Sequence, residues 1–79
     1  MIILDSAHKH GISEKDIIFV FESAINSIVL EEHPLKIMLF GFDTIGRSLE
    51  IGYFINEHGD DIIIHAMKIR SSYQKYLYL

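Results

Sequence analysis

The chain has 79 residues, no cysteine and a net charge of −4, with 49% apolar and 23% charged residues. This length allows one small domain over residues 1–79, and the composition excludes a disordered chain, a disulfide framework and a Cys-based metal cage. No apolar stretch approaches the roughly 20 residues that a membrane span needs, and no signal-peptide pattern is present, so we expect a cytoplasmic protein.

The N-terminal part of the sequence predicts helical structure. A short helical turn is expected over residues 5–10, ahead of Gly11. Ser13 followed by Asp16 has the spacing of a capping box, which marks the start of a helix. The apolar residues that follow recur at helical spacing, namely Ile17, Phe21, Ala24 and Ile25. A helix is therefore predicted over residues 13–23.

The remainder of the chain predicts four strands and a short C-terminal helix. The strands are expected over residues 25–30, 35–42, 47–55 and 62–66, and the helix over residues 68–78. Short turns separate the strands, and connections of hairpin length force neighbouring strands to be antiparallel. The predicted fold is an α+β domain in which the helices cover one face of a four-stranded antiparallel meander.

Five histidines in a chain of this length raise the question of a metal site. His8 and His10 would share a face only on a strand, while His33 and His58 lie in predicted turns. No HExxH or Cys/His spacing accompanies them. The sequence therefore predicts no metal site and no cofactor, with a zinc site as the alternative.

Charge is unevenly distributed along the chain. Residues 14–32 contain five acidic residues, whereas the charged residues of 65–79 are all basic. The basic segment is either the solvated face of the final helix or a patch that binds phosphate. As a patch it would offer two cations for phosphate and two tyrosines for stacking on bases, which makes four RNA-binding candidates: Arg70, Lys75, Tyr73 and Tyr76.

A candidate catalytic group lies beside this segment. Arg47 opens the third predicted strand, and His65 ends the fourth, just before Lys68. In a meander the start of one strand lies beside the end of the next, so these three residues are expected to converge. Metal-independent RNA cleavage uses a base for the 2′-hydroxyl, cations for the transition state and an acid for the leaving oxygen. In the alternative interpretation Arg47 pairs with a surface acid, His65 is a satisfied sheet residue and the tyrosines cover the core.

Short segments over residues 6–76 also follow the layout of a known family. They are His10-Gly11-Ile12-Ser13, Val20-Phe21, Gly41, Arg47-Ser48-Leu49-Glu50-Ile51 and residues 62–70. This layout resembles the BrnT-like toxins, small cytoplasmic ribonucleases of type II toxin–antitoxin pairs with a RelE/ParE-like fold. The resemblance implies functional roles for Arg47, Lys68, Arg70 and Tyr76. Where the family has Ser-Ala-Arg, this chain has His65-Ala66-Met67, so His65 would supply its own acid–base function.

The leading hypothesis is a toxin that cleaves RNA without a metal and is neutralised by an antitoxin, of the ribbon-helix-helix kind, over the segment 68–75. Its partners would be RNA and the antitoxin, with no membrane. The mean hydropathy of +0.24 is high for so small a domain, which favours a homo-oligomer or a complex with the antitoxin. The alternatives are a non-catalytic protein-interaction module of the same fold, and a ParE-like toxin that inhibits a topoisomerase by binding.

Overall fold

In a computed structural model that describes residues 1–78, the chain folds into a sheet flanked by helices on both faces. The strands are β1 (Ile2–Ile3), β2 (Asn26–Glu32), β3 (Leu35–Phe42), β4 (Ser48–Ile55) and β5 (Asp61–Lys68). The helices are a 3-10 turn (Asp5–His8), helix α1 (Glu14–Ser23) and a C-terminal 3-10 helix (Ser71–Leu77). The fold is α+β, as predicted. Within residues 1–78 no helix is both long and apolar enough to cross a membrane.

The sheet has five strands in the order β1-β5-β4-β3-β2, one more than predicted. Strands β2 to β5 form the expected antiparallel meander, but β1 pairs in parallel with β5, with Ile2 opposite Ile62 and Ile3 opposite Ile63. The prediction of a four-stranded, purely antiparallel sheet is therefore wrong. A two-residue strand carries no readable alternation of apolar and polar residues, which is why the sequence pattern did not reveal it.

Helix α1 begins where the sequence predicts. The Ser13 hydroxyl accepts a hydrogen bond from the backbone N–H of Asp16 at 3.2 Å and donates one to its carboxylate at 2.9 Å. The side chains of Ile17 and Val20 are fully buried against the sheet. Local capping and apolar spacing thus determine this helix, and its predicted end at Ser23 is also correct.

The two faces of the sheet are covered by different helices. On the face that we call the α1 face, α1 and the first 3-10 turn bury a core of Ala7, Ile12, Ile17, Val20, Leu49, Ile51, Ile63 and Ala66. On the opposite face, which we call the C-terminal face, the last 3-10 helix packs on Met38, Phe40 and Ile69. The prediction that all helices share one face is therefore wrong. Strand β3 is apolar on both sides, so both of its faces need cover.

Candidate functional site

A polar cluster centred on Glu50 lies on the C-terminal face of the sheet. The Glu50 side chain is fully buried, and its Oε1 accepts hydrogen bonds from the backbone N and the Nε of Arg70, at 2.8 and 3.0 Å. Its Oε2 lies 2.7 Å from Nη2 of Arg70 and 3.2 Å from Nε2 of His65. One carboxylate therefore fixes an arginine and a histidine side by side. We call Glu50, His65 and Arg70 the Glu50 cluster.

A β-bulge brings His65 to this face. Gly52 pairs with His65, but the next pair along the ladder is Tyr53 with Ile63, so Ile64 is an extra residue in β5. In a regular strand Ile63 and His65 would share a face, yet Ile63 is buried in the core of the α1 face while His65 lies beside Glu50. Gly52 leaves room for the imidazole, since a Cβ there would lie 3.1 Å from the Cβ of His65.

The protonation states within the Glu50 cluster follow from its contacts. Burial alone would raise the pKa of Glu50, but hydrogen bonds from Arg70 and His65 and the charge of Arg70 together hold that pKa below its usual value. The hydrogen bond to Glu50 raises the pKa of Arg70 despite partial desolvation. Glu50 is thus a carboxylate, which only accepts hydrogen bonds, so Nε2 of His65 must carry the hydrogen. The lone pair of the neutral imidazole is then on Nδ1.

Arg47 lies away from this cluster, contrary to the sequence-based expectation. Its Nε donates to Oδ2 of the buried Asp43, and its Nη2 lies 3.4 Å from Oδ2 of Asp16 in α1. Strand β5 does not end at His65 but continues to Lys68, so His65 pairs with Gly52 in mid-strand rather than near Arg47. Arg47 and His65 do not converge, and Arg47 has the acidic partners that the structural alternative expects.

Lys68 is likewise separated from His65. It pairs with Leu49, whose side chain belongs to the core of the α1 face, so the register places Lys68 on that face and His65 on the other. Lys68 is exposed at the end of β5. Of the three residues predicted to form one catalytic site, only His65 therefore belongs to the Glu50 cluster.

The four RNA-binding candidates follow directly after β5. Tyr73 and Tyr76 pack on Phe40, with ring centroids 5.4 and 5.0 Å apart, so they cover the second core. The Arg70 guanidinium lies 5.1 Å from the Tyr73 ring centroid, and the Lys75 ammonium 5.4 Å from that of Tyr76. Both tyrosine rings are only half-buried. Their role in stacking on RNA bases remains a prediction.

Sequence reasoning missed two members of this neighbourhood, Glu50 and His10. Glu50 lies between two buried residues of an alternating strand, on the side opposite Leu49 and Ile51, and it was not among the candidate site residues. The signal that could have corrected this is the apolar character of β3 on both sides, which requires a covered second face. The His10 and His65 rings meet edge to face, with centroids 5.9 Å apart and an interplanar angle of 77°. No spacing in the sequence indicates that contact.

The buried carboxylates Asp43 and Glu50 make the stability of the domain sensitive to acid. Burial opposes ionisation of Asp43, but hydrogen bonds from the backbone and side chain of Arg47 and from the backbone of Ile45 lower its pKa. Both folded-state pKa values lie below those of the unfolded chain, so their stabilisation is complete above about pH 5 and is lost as pH falls through the folded values.

We therefore expect the free energy of unfolding, measured by urea denaturation, to fall between pH 5 and pH 3. The decline should be shallower in Asp43→Asn, which removes one of the two carboxylates. The exposed Glu57 serves as the matched control, because Glu57→Gln should leave the slope unchanged. Equal stability of the unaltered protein at pH 3.5 and pH 7 would contradict the assigned pKa directions.

The fold and the Glu50 cluster define a small α+β domain with a carboxylate-held histidine and arginine on one sheet face. Within residues 1–78, no group of three or more potential ligand side chains is arranged to hold a metal ion. In comparisons with known proteins, the chain matches no family model, no curated protein and no solved structure. The resemblance to BrnT-like toxins therefore rests on the sequence segments named above.

Proposed function

We propose that the protein is a metal-independent endoribonuclease whose catalytic centre is the Glu50 cluster, and that it acts as the toxin of a type II toxin–antitoxin pair. The observation that carries the catalytic part is the buried Glu50 carboxylate, which holds His65 and Arg70 on the same oxygen atom. The toxin role is supported by the resemblance to the BrnT-like family and by the acid-free C-terminal segment.

His65 has the features of a general base. A carboxylate bonded to one imidazole nitrogen fixes the tautomer and stabilises the cation that forms when the other nitrogen takes a proton. Nδ1 of His65 is the nitrogen left for that proton, and about a quarter of the side chain, 27%, is exposed. A bound ribose could therefore deliver its 2′-hydroxyl proton to this nitrogen.

Arg70 has the features of a phosphate clamp. Its guanidinium has five N–H donors, and Glu50 accepts from the single one on Nε and from one of the two on Nη2. The remaining donors lie on a side chain that is 49% exposed, and stacking on Tyr73 limits the motion of the group. A planar cation held in this way suits bidentate contact with phosphate oxygens, whose negative charge increases in the transition state.

In this proposal the roles of the other predicted residues differ from those expected. Arg47 joins the turn before β4 to the start of α1 through Asp43 and Asp16, which is a structural task. Lys68, Lys75 and the two half-buried tyrosines contribute to RNA binding outside the reacting group. The antitoxin would cover the C-terminal face, where charge complementarity to the basic segment would favour an acidic segment of the partner.

Replacing His65 tests the catalytic assignment. We expect His65→Ala to slow cleavage of single-stranded RNA by about 100-fold to 10,000-fold, the usual contribution of a general base. His33→Ala is the matched control, because His33 is an exposed histidine in the turn between β2 and β3. This variant should cleave RNA at the original rate. Products are followed on a denaturing gel in the presence of a chelator.

Two outcomes would contradict the proposal in different ways. RNA that stays intact at micromolar unaltered protein, together with normal growth on expression, would exclude the ribonuclease function. Cleavage that is equally fast in His65→Ala and His33→Ala would retain the enzyme class but exclude the Glu50 cluster as its centre.

A non-catalytic protein-interaction module is the second candidate, and one observation favours it. Strand β2 is an edge of the sheet, and the apolar side chains of Val29 and Leu30 within it, and of Ile25 just before it, are exposed. An apolar edge strand is a ready site for pairing with another chain. If this function is correct, the protein leaves RNA intact and forms a complex with the product of the neighbouring reading frame. Light scattering detects the complex, and Val29→Glu should disrupt it.

A further inference from the structure

We propose that His10 is the general acid of this site and that the substrate must therefore be a ribose phosphodiester with a poor 5′-oxygen leaving group. This inference rests on the proposed ribonuclease function. Its starting point is the edge-to-face contact between the His10 and His65 rings, whose centroids lie 5.9 Å apart. Two imidazoles at this separation can contact the attacking 2′-hydroxyl and the leaving 5′-oxygen of one phosphodiester.

The chain holds His10 in place through a strand edge and two buried anchors. After β1, the backbone N of Leu4 donates to the carbonyl of Ile63 at 3.0 Å, and the Ser6 hydroxyl donates to the carbonyl of Ile64 at 2.8 Å. The first 3-10 turn therefore runs along β5 at the bulge that positions His65. Ala7 and Ile12, on either side of His10 in the sequence, are buried in the core of the α1 face.

The turn geometry adds a second constraint on His10. Gly11 has a φ of 77°, which lies in the left-handed region that glycine adopts without strain. Its backbone N donates to the carbonyl of His8 at 3.0 Å, which closes the turn around His10. His10 itself is exposed, so a substrate can reach its ring. The His10 side chain is therefore held on a fixed backbone, takes no part in the core and is accessible for proton transfer.

The two histidines divide the proton transfers because their surroundings differ. Glu50 fixes His65 with its hydrogen on Nε2 and its lone pair on Nδ1, the form that accepts a proton. His10 has the edge-to-face contact with His65 and exposure to water, and an imidazolium there can donate a proton.

The reaction then balances without any further reagent. The 2′-hydroxyl proton passes to Nδ1 of His65 while the 2′-oxygen forms a bond to phosphorus. The bond between phosphorus and the 5′-oxygen breaks with its electron pair on the oxygen, and the His10 imidazolium gives that oxygen a proton. Arg70 contacts the non-bridging oxygens throughout. The products are a 2′,3′-cyclic phosphate and a 5′-hydroxyl, and a DNA strand cannot react because it lacks the 2′-hydroxyl.

A sulfur-substituted substrate separates the acid from the base. The cleavage site of an oligoribonucleotide is first mapped with the unaltered protein, and the same strand is then synthesised with sulfur in place of the 5′-oxygen at that site. A thiolate leaves without needing a proton. His10→Ala should cut the ordinary strand at least about 100-fold more slowly than the unaltered protein but the sulfur-containing strand at nearly the same rate. His65→Ala should be slow on both strands, and Lys9→Ala, an exposed neighbour, should be fast on both.

Each other outcome overturns the assignment. Ordinary RNA cut equally fast by His10→Ala and by the unaltered protein, or a His10→Ala defect that sulfur does not relieve, excludes His10 as the acid while the ribonuclease function stands. Cleavage of an all-DNA strand at the same site excludes the 2′-hydroxyl mechanism. Failure of the unaltered protein to cleave either strand removes the proposed function itself, and with it this role of His10.

Discussion

Glu50→Gln is expected to remove most of the RNA cleavage and to lower the free energy of unfolding by about 1–3 kcal/mol, the usual cost of breaking hydrogen bonds to a buried charged group. Oε1 of Glu50 faces the backbone N and Nε of Arg70, and Oε2 faces Nη2 of Arg70 and Nε2 of His65. The backbone N–H and the guanidinium of Arg70 can only donate hydrogen bonds. An amide nitrogen therefore cannot replace Oε1 without placing two donors against each other.

An amide nitrogen in place of Oε2 would likewise face the Nη2 donor of Arg70, and it could bond to His65 only if that histidine changed tautomer. Nε2 would then accept a hydrogen bond and Nδ1 would carry the hydrogen, so no lone pair would face the 2′-hydroxyl. The ¹⁵N spectrum of the imidazole distinguishes the two tautomers directly. We expect the Nε2–H form in the unaltered protein and its loss in Glu50→Gln, a change that a merely structural glutamate would not produce together with a lower cleavage rate.

Glu57→Gln is the matched control, because its side chain is 87% exposed in the turn before β5. Stability is measured by urea denaturation, and the cleavage rate is measured on the mapped oligoribonucleotide. A Glu50→Gln protein with the original stability, tautomer and cleavage rate would show that the carboxylate has no role in positioning His65.

Phe40→Ala is expected to produce the largest loss of stability, about 3–5 kcal/mol, as for other fully buried phenylalanines. Phe40 lies at the centre of the C-terminal face, where Tyr76 stacks on it and Tyr73 packs at an angle. Truncation leaves a cavity beneath the last 3-10 helix. A domain of this size has on the order of 4–12 kcal/mol of stability in total, so this single change approaches the limit of folding.

Phe42→Ala separates this packing effect from the loss of an aromatic residue in β3. Phe42 is the next residue on the same side of the strand, but its side chain is exposed. We expect its truncation to cost about 1 kcal/mol or less. The chain has no tryptophan, so tyrosine emission and near-ultraviolet circular dichroism come mainly from its four tyrosines, of which Tyr73 and Tyr76 contact Phe40. Equal stability of the two variants would contradict the described second core.

The parts of the fold that the sequence predicts correctly are those fixed by local chemistry. Ser13 and Asp16 define the start of α1, and β3 was predicted over the residues it occupies. The Ile2–Ile3 pairing was not predictable, because its hydrogen bonds join residues about 60 positions apart and two residues show no pattern. The final helix was predicted in roughly the right place, but its residue pattern did not reveal that it packs on Phe40 or which face it covers.

The candidate site was predicted in composition but not in geometry. His65 and Arg70 were chosen for their chemistry, and both belong to the Glu50 cluster. Arg47 and Lys68 were placed beside His65 by assuming that the strand ends at His65, whereas β5 continues to Lys68. The extra residue Ile64 in turn decides which face His65 occupies. Because strands alternate with a period of two, a one-residue shift moves every later side chain to the other face. Nothing in the residue types of β5 indicates where such a shift occurs.

The bulge at Ile64 ties the position of His65 to the length of a strand. Because one extra residue turns His65 toward Glu50 while Ile63 stays in the core, the contact between histidine and carboxylate depends on the number of residues in β5 as well as on their types. Deletion of Ile64 would return a regular strand, in which His65 could stay beside Glu50 only if Ile63 left the core of the α1 face. The geometry of the Glu50 cluster and the packing of the α1 face are thus coupled through a single residue of β5.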